Sequence, residues 1–397
     1  MGTMFSFLAK SATSSAVSGF ATHQLLSSVT LSRPIHTLAT FLAAFTGLIY
    51  YVKVWINEYY FDWSYNDNRD LTSKIAVVTG GTVNGLGFAI AEIFYEQGAK
   101  VIITVRTKEK GEAALTKLKG RASVDDDRVS YVLCDFLSES SVRNCAAEIQ
   151  SKTSDGIDFV VLNAGTSGRS ESKVKQKGDT EKTVKNPFTA QVWMINHLGP
   201  WIFAKELMPS LVQTAKRRPS EHPRVVWVSS GAHKRASINW EDPFHPDQAR
   251  AGLASSYGQS KLANIMHARE YQKRVRDLLQ KEESEEKEQM DVKCFAVTPG
   301  LVWTNLIPKF RALYPLFWLL MRKPRKGAQV IKMACLNNDL KGGEYLSNCY
   351  VKESEGIDGC SKDEEQWKRL WELTAKQVEE KEFEKFIEIS NVNKKTN

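Results

Sequence analysis

Between Lys74 and about Leu346 the chain alternates two hydrophobic rhythms. Short β-branched runs occur at Ile75–Thr79, Val101–Val105, Val129–Cys134, Phe159–Leu162, Val225–Ser229 and Cys294–Thr298. Longer stretches with helical spacing separate them. Near-continuous apolar runs suit strands buried on both faces, and their alternation with helices predicts parallel strands joined by crossover helices. The expected fold is therefore α/β, a Rossmann-type doubly wound parallel sheet with helices on both faces. No internal repeat is visible.

The chain before this region has a different character. Its first 57 residues contain no Asp or Glu and are rich in Ser, Thr and Ala. Ile35 to Val52 is a run of 18 residues without Lys, Arg, Asp or Glu, and Tyr50, Tyr51 and Trp55 stand at its end. This predicts an N-terminal hydrophobic helix, most simply a membrane anchor over residues 35–56 after a Ser/Thr-rich segment over 1–34. A cleaved transit peptide and a buried helix are the competing readings. Met1-Gly2-x-x-x-Ser6 formally fits a myristoylation pattern. Arg33 and Lys53 flank the run on opposite sides, so charge leaves its orientation open.

Composition narrows the function. The 397 residues are 42% hydrophobic and 25% charged, with a net charge of +8. The basic excess is dispersed and forms no patch interleaved with aromatics, so nucleic acid is not an expected partner. Six cysteines lack any C-x-x-C pairing, which argues for reduced, mostly buried thiols and against a disulfide or metal framework. The run Lys281 to Gln289 reads as a solvated segment. The apolar run Pro315 to Met321, followed by Arg322, Lys323, Arg325 and Lys326, fits a substrate-site wall, a membrane contact or core packing equally well.

The first strand leads into Thr79-Gly80-Gly81-Thr82-Val83-Asn84-Gly85-Leu86-Gly87 and then a helix. Glycines let the backbone turn tightly beside a pyrophosphate, and a helix N-terminus favours its charge. Arg106 stands at the end of the second strand, where a carboxylate would otherwise hold ribose hydroxyls. A guanidinium can pair with a 2′-phosphate in bidentate fashion, so NADP(H) is expected over NAD(H). Asp135 after the third strand suits adenine recognition. Asn163-Ala164-Gly165 after the fourth would let the backbone run close to the nicotinamide side.

Further along come Asn196, the Ser229-Ser230 pair and Tyr257-Gly258-Gln259-Ser260-Lys261. On a helix the last puts a phenol and an ammonium one turn apart on one face. With this ordered set, the chain resembles the short-chain dehydrogenase/reductase superfamily over roughly Lys74 to Leu346. Within it, Val105-Arg106, Asn196-His197-Leu198-Gly199, Val228-Ser229-Ser230-Gly231-Ala232-His233 and Gly342-Gly343-Glu344-Tyr345 are similar to the membrane-associated retinol dehydrogenase-like and polyprenal reductase-like group.

The resemblance implies a dehydrogenase/reductase domain over residues 70–350 and a helical extension over 351–397. It implies that Tyr257 moves the proton at the substrate oxygen, with its pKa lowered by Lys261, which also holds the nicotinamide ribose. Ser230 would hydrogen-bond the substrate, and Asn196 would anchor a water relaying protons to Lys261. Pro299, Gly300 and Thr304 would cover the carboxamide. His197 and His233 read as packing or surface residues. The family pattern has three residues between the first two glycines of the loop. Here four separate Gly80 from Gly85, so either Gly81 takes the first role or the loop carries an insertion. The expected substrate is a lipophilic alcohol or carbonyl of retinoid, steroid or polyprenoid type. A membrane-anchored enzyme at the endoplasmic reticulum or a lipid droplet is expected, with a mitochondrial form as the alternative, and a homodimer through the helices carrying Asn196 and Tyr257 is possible. A cofactor-binding scaffold without useful turnover is the competing function.

Overall fold

The computed structural model describes residues 33–55, 64–120, 127–167, 187–244, 253–280, 290–304, 306, 321–354, 356 and 359–379. The myristoylation pattern, the charged run 281–289 and most of the apolar run at 315–321 lie outside the described residues. Contacts divide the chain into two units, residues 63–308 with 323–397 and residues 1–62 with 309–322.

The larger unit is built on an eight-stranded sheet in the order β3-β2-β1-β4-β5-β6-β7-β8. Its strands are β1 (Ile75–Thr79), β2 (Lys100–Val105), β3 (Val129–Leu133), β4 (Phe159–Leu162), β5 (Arg224–Val228), β6 (Lys293–Thr298), β7 (Tyr345–Ser347) and β8 (Tyr350–Lys352). The first seven run parallel, and only β8 pairs antiparallel. The six expected strands are present with ends shifted by at most a residue. The β7–β8 hairpin was not anticipated: three-residue strands are too short to carry a pattern. Asn348 and Cys349 at its tip both have φ of 57°, as a tight two-residue hairpin turn requires.

Successive side chains of each strand face opposite layers. Val77, Ile102, Val132, Val160 and Val225 pack on one side. There they meet α4 (Glu139–Lys152), α6 (Gly199–Arg217), α7 (Leu253–Gln280) and α10 (Glu364–Glu379). Val78, Ile103, Val161 and Val226 pack on the other, against α2 (Leu86–Glu96), α3 (Lys108–Lys119) and α9 (Gln329–Leu336). A short α5 (Pro187–Trp193) enters α6 through a π-helical turn, Met194–Leu198, and α8 (Pro324–Gly327) precedes α9. None of the six cysteines forms a disulfide, and five are buried.

Helix α10 is part of the core. Its Leu370 is fully buried, and Trp371 meets Trp201 at 5.2 Å and Tyr271 at 4.7 Å between ring centroids. Thr374 Oγ1 lies 3.0 Å from His197 Nε2 and 3.3 Å from His267 Nε2, and the two imidazoles stack at 4.6 Å. Burial holds His267 down to about 3, so this cluster is a neutral packing element.

In the smaller unit the expected N-terminal helix is present as α1 (Arg33–Trp55). Leu38, Phe41, Leu42, Phe45, Leu48 and Ile49 recur at three- and four-residue spacing and are exposed. Thr37, Thr40, Thr46 and Tyr50 interrupt the apolar character, and Thr46 donates its hydroxyl back to Leu42 O at 2.7 Å. Among the described residues no helix is long and apolar enough to cross a membrane, which corrects the expectation of a spanning anchor.

Candidate active site

Strand order reverses between β1 and β4, so a crevice opens beyond their carboxyl ends, where doubly wound sheets bind ligands. Thr79 closes its floor. Its buried hydroxyl donates to Val161 O at 3.3 Å and accepts the amides of Asn163 at 2.8 Å and Ala164 at 2.9 Å. The Asn163 side-chain amide donates to Thr79 O at 2.9 Å.

The glycine-rich loop rises from this floor. The Gly80 and Gly81 amides both donate to Thr104 O, at 3.1 and 3.0 Å, and Gly80 has φ of +72°, a left-handed conformation that favours glycine. The four residues between Gly80 and Gly85 fit through a turn closed by Gly85 N to Thr82 O at 3.0 Å, with Asn84 left-handed at φ 65°. Lys117 Nζ donates to Asn84 Oδ1 at 3.3 Å. Gly85 caps α2 without any side-chain hydrogen bond. A Cβ at Gly87 would stand 2.5 Å from both Gly80 O and Asn163 Nδ2, so glycine is what lets the helix start against the loop. Leu86 is buried at the start of that helix.

Around the rim, Arg106 is exposed just past β2 and has no hydrogen-bond or ion-pair partner among the described residues. Asp135 stands past β3 and uses one carboxylate oxygen to accept the Leu137 amide at 3.1 Å. Gly300 lies past β6 with φ of +79°, following Pro299, and Thr304 Oγ1 accepts the Leu306 amide at 3.4 Å. Ser167 donates to Leu306 O at 3.3 Å, tying the loops after β4 and β6 together.

The proton-transfer candidates meet at the end of β5. Ser230 follows that strand, and its side chain lies close enough to the Tyr257 phenol to lower its pKa. The neighbouring Ser229 hydroxyl is instead spent on Lys261 O at 2.7 Å. Tyr257 and Lys261 lie one turn apart on α7, with Nζ 5.6 Å from the phenol centroid. Lys261 is buried and donates to Val228 O at 2.9 Å. Gly165 brings the loop after β4 to both groups: a Cβ there would be 3.1 Å from Asn196 Oδ1 and 3.5 Å from Lys261 Nζ.

Electrostatics differ from the sequence expectation. Burial raises the Tyr257 phenol above its ordinary value, and the neighbouring Ser230 side chain partly opposes this. Burial also lowers Lys261 to about 8, because desolvation disfavours the ammonium. The phenol is thus held protonated at neutral pH.

Asn196 sits in the π-helical turn, a distortion that often marks functional sites. Its Oδ1 accepts the Thr166 amide at 2.7 Å, while Nδ2 donates to Thr166 O at 2.9 Å and Ser260 Oγ at 3.0 Å. Both amide hydrogens are therefore used, which leaves only Oδ1 to hold a water. Ser260 in turn donates to Tyr257 O at 2.8 Å. Thr79, Thr166 and Ser260 are site residues that sequence reasoning did not single out.

Comparison with known proteins identifies the family. The model of the short chain dehydrogenase family matches residues 74–241. Dehydrogenase/reductase SDR family member 13 of Bos taurus is 31% identical over 314 residues, covering 77% of this chain and 73% of the relative. The chain belongs to the short-chain dehydrogenase/reductase family. Retinol dehydrogenase 12 of Mus musculus, at 26% identity, covers 84% of this chain and 95% of its own length. Among solved structures, an uncharacterised protein from Mycobacterium paratuberculosis aligns with a TM-score of 0.53 at 25% identity, over 78% of this chain and 95% of its own.

The crowding at Gly87 makes a direct test in this short-chain dehydrogenase/reductase. Gly87→Ala is expected to destabilise the fold by about 1–3 kcal/mol through overpacking against fixed backbone. Denaturant unfolding reads this, and an unchanged midpoint would mean that the loop yields freely.

Proposed function

We propose that this chain is an NADP(H)-dependent oxidoreductase that interconverts a lipophilic alcohol and its aldehyde or ketone, of retinoid, polyprenoid or steroid type. The observation that carries the reading is the gathering of Ser230, Tyr257 and Lys261 beyond the end of β5, with Lys261 Nζ 5.6 Å from the phenol centroid. The uncapped start of α2 and the close approach at Gly87 fit a dinucleotide pyrophosphate. Gly80, Gly81, Gly85, Leu86 and Gly87 would hold it. The free Arg106 guanidinium would take a 2′-phosphate, Asp135 the adenine side, and Asn163, Ala164, Gly165, Pro299, Gly300 and Thr304 the nicotinamide side.

The nicotinamide, when bound, supplies or accepts the hydride. Tyr257 Oη gives its proton to the substrate oxygen in reduction and takes it back in oxidation. Ser230 Oγ hydrogen-bonds the same oxygen and orients it. Lys261 Nζ, now on Val228 O, would turn to the ribose hydroxyls and return a proton to Tyr257. Asn196 holds the Thr166 backbone, and with it the wall beside Lys261. Leu301, 65% exposed, and Leu306 follow Gly300 in the segment after β6, an apolar character suited to a lipophilic substrate.

The exposed apolar stripe of α1 supports membrane association through that helix. Co-flotation with phosphatidylcholine vesicles should be lost when residues 1–62 are removed; equal flotation of both forms would rule this out. For the activity, NADPH oxidation is measured against retinal, a polyprenal and a ketosteroid, with NADH alongside. One substrate should turn over with NADPH preferred, and Tyr257→Phe should lower the rate by about 10²–10⁴-fold. Turnover unaffected by that substitution contradicts the mechanism. NADPH binding without turnover of any substrate would favour a scaffold.

A further inference from the structure

His233, three residues past Ser230, is fully buried and has an ordered role that its position in a surface-like turn conceals. Its Nδ1 lies 2.6 Å from Ser230 O. A carbonyl oxygen only accepts, so Nδ1 carries the proton and Nε2 is the bare nitrogen. Nε2 has no hydrogen-bond partner among the described residues. The same Ser230 O also accepts the His233 backbone amide at 3.1 Å. The imidazole therefore staples the carbonyl of Ser230 while the Ser230 hydroxyl accepts the Ala232 amide at 3.3 Å and meets Tyr257.

The ring is itself fixed from behind. It packs edge-on against Tyr345 of β7, at 5.1 Å between centroids and 69° between planes. The Tyr345 hydroxyl donates to Thr298 Oγ1 at 2.8 Å, at the end of β6 and directly before Pro299. The ends of β5, β6 and β7 are thus joined behind the reacting hydroxyl. Ser230 has an extended backbone (φ −152°, ψ 154°), and its hydroxyl caps this turn.

Resting on the proposed function, we infer that His233 is a positioning residue for Ser230: its Nδ1–H fixes the Ser230 backbone so that Oγ stays in register with Tyr257 Oη. It acts through Ser230 and does not touch the reacting atoms. Hydrogen-bond geometry at a reacting centre tolerates little drift, and a misplacement of about 1 Å costs roughly 10²-fold in rate. Asn places a donor near the position of Nδ1, whereas Phe keeps the ring against Tyr345 and removes the donor.

The test is a double-mutant cycle with the fastest substrate of the carbonyl panel and NADPH. In the otherwise native chain, His233→Phe should lower kcat by about tenfold or more, within the range for a misplaced group. Its NADPH Kd should stay unchanged, and His233→Asn should recover most of the rate. In a Ser230→Ala background, His233→Phe should have no further effect, because the two act as a unit. Multiplicative losses in the two backgrounds, equal losses in the Phe and Asn variants, or an unchanged kcat in His233→Phe would overturn the inference. Those outcomes leave the proposed function standing, provided Tyr257→Phe is inactive. Only a Tyr257→Phe variant as active as the native chain, or no turnover at all, overturns both together.

Discussion

The glycine-rich loop after β1 and the loop after β4 are both anchored through Thr79. The chain leaves the sheet twice at this point, once after β1 into the glycine-rich loop and once after β4 into the loop that reaches Asn196 and Lys261. A hydroxyl can donate once and accept twice, and Thr79 does both, spanning β1 to β4 with three hydrogen bonds in a dry setting. The Ala164 backbone amide has left the β-ladder and would otherwise be a part-buried donor without an acceptor, while the Asn163 amide also reaches Val161 O at 3.1 Å. The topological reversal that opens the crevice thus creates an unmet demand for an acceptor, and one side-chain oxygen meets it.

The same economy of polar groups recurs deeper in the site. Asn196 grips both the amide and the carbonyl of Thr166, then passes its last hydrogen to Ser260, which binds Tyr257 O. Ser229 binds Lys261 O, and Lys261 binds Val228 O. These bonds tie α7, the π-helical turn and the ends of β4 and β5 into one frame. Burial then sets the chemistry: it holds the phenol protonated and brings the ammonium of Lys261 down to about 8, within reach of proton exchange near neutrality. Rigid support and desolvation are the two contributions a fold can make to a proton-transfer site before any ligand arrives.

Much of this was legible in the chain because its signals are local. Six strands announce themselves as apolar runs, and the strand–glycine loop–helix order points to a nucleotide crevice. Tyr257 and Lys261 gain meaning from the order of Asn196 and Ser230 before them. Other features depend on pairs far apart in sequence. Thr79 meets Asn163 across 84 residues and Asn196 meets Ser260 across 64, and no spacing rule connects them. The π-helical turn reads as ordinary helix from Met194 to Leu198. The raised Tyr257 pKa is not legible in the chain because it comes from burial, a tertiary quantity. In α1 a run of 18 residues without charge suggested a spanning helix, yet threonines and tyrosines dilute it.

The central claim is that Thr79 holds the crevice in binding form, and cofactor affinity in Thr79→Val and Thr79→Ser tests it most directly. Valine keeps the shape and removes the hydroxyl, leaving the part-buried Ala164 amide unmet at a cost of about 1–3 kcal/mol. The account predicts that NADPH affinity, read by fluorescence titration, falls at least tenfold in Thr79→Val and is largely kept in Thr79→Ser. Equal, native affinity in both variants would contradict it.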